Sequence, residues 1–179
     1  MLTIRDLIHP YIAMTQKTPL SIDVHAGECL WVKGDNGAGK STLLKLIASV
    51  LPVEVGHLEV SALFSYLGAE LGIKTHATLK DYQRFTKALG ASCESSLPPN
   101  RELNSFSSGQ KLWIRLQAAL RSDRPLWLLD EPSRFLDTTH EELLWEKVKQ
   151  HCASGGAAVV ASHTPVTSWV PDCHVLDVN

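Results

Sequence analysis

No stretch of this sequence approaches the ~20 consecutive apolar residues of a bilayer-crossing helix, so any work at a membrane needs another chain to span it. Cysteine is scarce. Its four copies, Cys29, Cys93, Cys152 and Cys173, stand far apart and form no C-x-x-C pair. That spacing speaks against a zinc site or a disulfide scaffold and fits buried free thiols in a reducing cytosol. A surplus of one charge is missing too: 17 lysines and arginines meet 19 aspartates and glutamates, for a net charge of −2. Nucleic-acid binders carry a basic face, so DNA and RNA are not expected as the main partners. The opening MLTIRDLIHPYIAM interrupts its apolar character with Arg5, Asp6 and Pro10 and makes a poor secretion leader. Repeats and low-complexity tracts are absent. What remains is 179 residues, 44% of them apolar, enough for a single α/β domain with a real core.

Hydrophobic patterning supplies the elements. LTIRDLI and LSIDV alternate as strands do, and CLWVK is a short apolar strand. GHLEV and ALFSYL read as two more. PLWLLD and AAVVAS are unbroken apolar runs of the kind buried on both faces, and HVLDV closes the sheet. Helices are expected from Lys40 to about Leu51 (stopped by Pro52), Thr78 to Leu89 with Thr78 as N-cap, Ser108 to Arg121, and Thr139 to His151. SSLPPN, residues Ser95–Asn100, cannot continue a helix and is a loop. Strand–loop–helix alternation around apolar strands predicts a mainly parallel sheet covered on both faces, with ligands at the carboxyl ends of its strands.

One of those ends carries KGDNGAGKSTLL, which fits G-x-x-x-x-G-K-[ST] at Gly34, Gly39, Lys40 and Ser41. Glycines let successive backbone N–H groups point inward, and the following helix adds its positive N-terminal end. A polyphosphate is the ligand such a loop suits. Lys40 reaches the β- and γ-phosphates, and the Ser41 hydroxyl holds Mg²⁺. Asp130 and Glu131 stand at the end of PLWLLDEP. With a phosphate loop in the same chain, Asp130 supports Mg²⁺ through its water shell and Glu131 polarises the attacking water. SFSSGQ, Ser105–Gln110, offers a second set of N–H groups and hydroxyls before a helix, although serine and glycine there also suit a plain cap. His163 ends the strand VVASHT, where it can hydrogen-bond a γ-phosphate.

Phosphate loop, FSSGQ, LLDEP, FLD and SH, in that order, resemble the nucleotide-binding domain of ABC (ATP-binding cassette) proteins over essentially the whole chain. The resemblance implies a P-loop NTPase of the ABC ATPase type. A mainly parallel sheet core comes with a reduced antiparallel β lobe near Glu54 to Tyr66 and a helical subdomain at about 71–124, all in one domain of residues 1–179. It implies that Tyr11 stacks on adenine. Gly34, Asp35, Asn36, Gly37, Ala38, Gly39, Lys40, Ser41 and Thr42 form the phosphate loop. Phe106 to Gln110 match the signature sequence, in which Ser107, Ser108, Gly109 and Gln110 complete the ATP site of a second copy. Asp130 and Glu131 match the Walker B pair, Arg134 to Asp137 the D-loop, and His163 the switch histidine. Two domains are implied to face each other head to tail as a homodimer with ATP at the interface.

Some positions depart from that pattern. Glu70 stands where a glutamine is usual; its carboxylate can still ligate Mg²⁺ and accept from water, at the cost of negative charge near the γ-phosphate. Arg134 and Phe135 replace small residues, and Trp113 stands where an arginine is common. YLGAELGIKTHATLKDYQRF, RPLWLLDEP and the Gly155–Gly156 pair resemble more narrowly the ATP-binding subunit of the cytochrome c maturation haem exporter. That likeness implies a Mg-ATPase working peripherally on the cytoplasmic face of the inner membrane, docked on integral-membrane transporter subunits. Direct haem binding is not expected of such a motor, and the seven histidines other than His163 are read as surface or loop residues. Two alternatives stand beside it: the same motor on another transporter, or a regulatory module that binds ATP with little turnover.

Overall fold

Five short apolar segments, scattered along the chain, lie side by side as parallel strands at the centre of the molecule. The structure is a computed structural model describing residues 1–13, 19–69, 76–91, 93–120 and 123–179. In chain order the elements are β1 (Leu2–Ile8), the four-residue helix α1 (Pro10–Ala13), β2 (Leu20–Val24), β3 (Cys29–Lys33), α2 (Lys40–Ile47) and β4 (Val55–Val60). They continue with β5 (Phe64–Leu67), α3 (Leu79–Ala88), α4 (Ser108–Leu120), β6 (Leu126–Asp130), α5 (Thr138–Ala153), β7 (Ala157–Ala161) and β8 (His174–Asp177).

The parallel sheet has the order β5-β6-β7-β3-β8. Every residue of β6 and β7 is buried, as strands covered on both faces must be. On one face α2 buries Leu43, Leu44, Leu46 and Ile47 in a core shared with Leu30, Val32, Leu128 and Val159. On the other face, α4 and α5 contribute Leu112, Leu116, Leu144, Trp145 and Val148 against Trp31, Trp127, Leu129 and Val160. A second sheet, antiparallel, has the order β2-β1-β4, and its Leu2, Ile4 and Leu7 join the α2 side of the core. The antiparallel lobe is thus smaller than its expected extent. It stops at Val60, and Phe64–Leu67 pairs in parallel with β6 instead. The helical section between Thr78 and Leu120 has a small core of its own: Leu79, Cys93, Leu103, Phe106, Ile114 and Ala118.

Two further expectations need correction. The α2 helix ends at Ile47, not near Leu51, because Ser49 turns to φ 55° and the N–H groups of Val50 and Leu51 fold back onto the Lys45 carbonyl. His151 is no surface or loop residue. It sits within α5, its ring stacked on Trp127 at 3.7 Å and 3°, and burial pushes its pKa down. The thiol reading holds, since Cys29, Cys93, Cys152 and Cys173 are all free and buried.

Parallel register brings the site together. Val32 of β3 and Asp130 of β6 both pair with Ala161 of β7, so three strands end at one height. Whatever follows them in sequence must emerge on the same edge.

Candidate functional site

The loop after β3 wraps the start of α2. Gly39 adopts φ 97°, and a Cβ there would stand 2.9 Å from the Tyr11 carbonyl, so only glycine lets the loop pass beneath α1. That close approach also sets Tyr11, 65% exposed, at the rim of the loop. The Lys40 ammonium turns back into the loop, donating to the carbonyls of Gly34 at 2.7 Å and Asp35 at 3.0 Å. Its exposure is 6%, unusually low for a lysine. From the opposite side, the Asp35 N–H donates to Asn179 Oδ1 at 2.7 Å, and Val178 packs under Gly34.

At the end of β6, the Ser41 hydroxyl donates to Asp130 Oδ1 at 3.0 Å, while Asp130 Oδ2 is buried with no hydrogen-bond partner among the described residues. Burial, with the neighbouring Glu131 charge adding to it, pushes the Asp130 carboxyl up from its ordinary pKa, while the Ser41 hydroxyl and the Ala69 backbone oppose. Glu131 takes a left-handed backbone, φ 48°, uncommon for a residue with a side chain. Its N–H donates to the Ala161 carbonyl at 2.9 Å, tying it to the end of β7. There His163 Nδ1 meets Glu131 Oε2 at 2.8 Å, and Glu131 Oε1 lies 4.0 Å from Lys40 Nζ.

A cavity of about 560 Å³ opens between these groups. Tyr11, Asn36, Gly37, Gly39, Lys40, Ser41, Thr42, Glu131 and His163 line it together, with Asp130 beneath. Gly34, Asp35 and Ala38 belong to the same loop but not to the lining. Ala69 and Arg134 also line the cavity. The sequence reading placed Arg134 only in the D-loop, and the Asn179 brace had no local motif to betray it. Glu70 lies outside the described residues.

Ser107 to Gln110 sit elsewhere. The Ser107 hydroxyl accepts from the Gln110 N–H at 3.2 Å, and Gln110 Oε1 accepts from the Ser107 N–H at 3.1 Å. This reciprocal pair caps α4, so the cap considered for this stretch does form. Ser107, Ser108, Gly109 and Gln110 line a separate cavity of about 740 Å³ with Trp113, Phe135 and His140, and none of them lines the Lys40 cavity. Gly109 is pressed against the D-loop, where a Cβ would stand 2.5 Å from the Phe135 carbonyl.

Residues 18–134 match the family model described as ABC transporter. The chain is 36% identical over 153 residues to the cytochrome c biogenesis ATP-binding export protein CcmA of Novosphingobium aromaticivorans, covering 82% of this chain and 80% of that protein. Against the protein of the same name from Paracoccus denitrificans, identity is 30% over 188 residues, covering 99% and 89%. An ABC transporter ATP-binding protein from Pyrococcus furiosus shares the fold at a TM-score of 0.79, with 18% identity and coverage of 99% and 96%. The dimeric structure of MJ0796, a bacterial ABC transporter cassette, gives 0.80, 16%, and coverage of 99% and 95%. No helix among the described residues is long and apolar enough to cross a membrane.

Proposed function

The chain belongs to the ABC transporter family and is an ATP-binding ATPase of that type, and we propose that it drives a membrane assembly that exports or delivers haem for c-type cytochrome biogenesis. The observation that carries the chemical part is the convergence of Lys40, Ser41, Glu131 and His163 on one cavity. In this reading, the loop N–H groups and Lys40 bind the β- and γ-phosphates, and Tyr11 stacks on the adenine. Glu131, oriented by its bond to His163, takes a proton from the water that attacks the γ-phosphorus.

Magnesium suits the donors present. The Ser41 hydroxyl at the start of α2 and the Asp130 carboxylate at the end of β6 are hard oxygen groups side by side, and a buried carboxylate with one oxygen unmatched among the described residues calls for positive charge. Ser41 would hold the ion directly and Asp130 through its water shell. The ion supplies charge neutralisation at the phosphates.

Because Ser107 to Gln110 line a different cavity from Lys40, a second copy completes the site, its serine-rich tip closing over the nucleotide. MJ0796, similar in fold, is dimeric. The membrane part belongs to partner subunits, with this chain peripheral on the cytoplasmic face of the inner membrane. The haem assignment draws on the names of the relatives from Novosphingobium and Paracoccus.

The test is to purify wild type and Glu131→Gln from membranes with Mg-ATP present. Phosphate release should fall on the order of a hundredfold in the variant, and it should retain integral-membrane cytochrome c maturation proteins. Equal release rates would remove the catalytic role. Retention of a permease for another cargo would remove the haem assignment.

A further inference from the structure

Two permanent cations, Lys40 and Arg134, stand among the described residues lining the nucleotide cavity. Lys40 has its partners in the loop carbonyls and lies near Glu131. Arg134 is different. Among the described residues no carboxylate forms an ion pair with it, although Glu131 shares its cavity.

The backbone explains how it comes to be there. After the left-handed turn at Glu131, the Arg134 N–H donates to the Glu131 carbonyl at 3.3 Å, and the Leu136 N–H to the Ser133 carbonyl at 3.0 Å. Two successive turns bring the chain back over the strand end instead of carrying it away. The Arg134 guanidinium rests 5.2 Å from the centre of the Phe135 ring. A cation over an aromatic face is steadied without spending any of its N–H groups. Both residues that the family pattern leaves small are therefore used together, one as cation and one as its rest.

Electrostatics gives this cation a purpose. A terminal phosphate entering beside Glu131 brings negative charge to a wall that already holds one carboxylate, with Asp130 buried behind it. Guanidinium can answer an oxyanion with two parallel N–H bonds, which a point charge cannot. We infer that Arg134 binds the γ-phosphate of the nucleotide held by its own chain and makes the site discriminate ATP from ADP. This rests on the nucleotide reading given above.

Calorimetric titration of wild type, Arg134→Ser and Arg134→Lys with ADP and with a non-hydrolysable ATP analogue, both with magnesium, tests it. Arg134 is exposed, so the variants should keep the fold, and melting curves check that they do. Arg134→Ser should weaken the analogue about tenfold while leaving ADP within about twofold, and Arg134→Lys should fall between. Equal weakening of both nucleotides, or no change in either, would overturn the inference while the nucleotide site stands. No uptake of either nucleotide by the wild type would overturn the nucleotide reading and this inference with it.

Discussion

Glu131 stands at φ 48°, and Asp130 beside it keeps a carboxylate oxygen buried without a donor among the described residues. Both are unfavourable for the bare fold, and both lie at the end of one strand, where strain and unmet charge gather at working sites. Burial raises the folded pKa of Asp130 above its unfolded value, so the fold holds that proton more tightly than the unfolded chain does. The contribution of this group to stability is then fullest in acid and is lost as pH rises through the raised pKa. Asp130→Asn removes the buried charge. At neutral pH it should be more stable to unfolding by about 1 kcal/mol in the absence of nucleotide. Urea melts across a pH series should show the two proteins converging as pH falls into the ordinary carboxylate range. A constant gap at all pH values would mean that the charge is not the cause. In the sequence, LLDEP already marked Asp130 and Glu131 as acids. Their strain and missing partner could not be read there, because both arise from what β7 and α2 bring alongside.

Elements differ in how openly the sequence announces them. LWLLD and AAVVA are apolar without a break, and burial of every residue in both strands follows. Thr78 is the N-cap expected of it, and the structure adds a reciprocal bond from Asp81 that makes a full capping box, with bonds of 3.2 and 3.1 Å. Less visible were α1, too short for periodicity to register, and the parallel pairing of β5, which depends on β6 far along the chain. Coupling between α4 and the D-loop was hidden as well, since Gly109 and Phe135 meet only after folding. Gly109→Ala should force the start of α4 away from Phe135. ATPase activity should fall at least about tenfold, and stability by about 1–3 kcal/mol, the usual range for overpacking. Steady-state turnover alongside a denaturant melt checks both; an unchanged turnover would mean that this contact is free to relax.

For the whole molecule, three strand ends at one height bring distant segments to a single rim, the one proposed to hold the nucleotide. A ligand held by β3, β6 and β7 together should stabilise the fold as a unit, not one loop of it. Saturation with Mg-ATP analogue at a hundred times its Kd should add about 2.7 kcal/mol. For a chain of this size that moves the melting temperature up by about 5–10 °C, with the midpoint climbing as ligand is added. A melting point indifferent to ligand concentration would contradict a cavity assembled from all three strands.

The four sulfhydryls have a practical use. Cys29, Cys152 and Cys173 cluster in the interior, where contact with the other two thiols and burial push the Cys29 thiol far up, and Cys93 is enclosed by the helical section. Alkylating reagents reach such groups only when the surrounding layers part. The native chain therefore carries its own clock: the pace of sulfur labelling reports how often its interior opens, with no added dye or engineered probe.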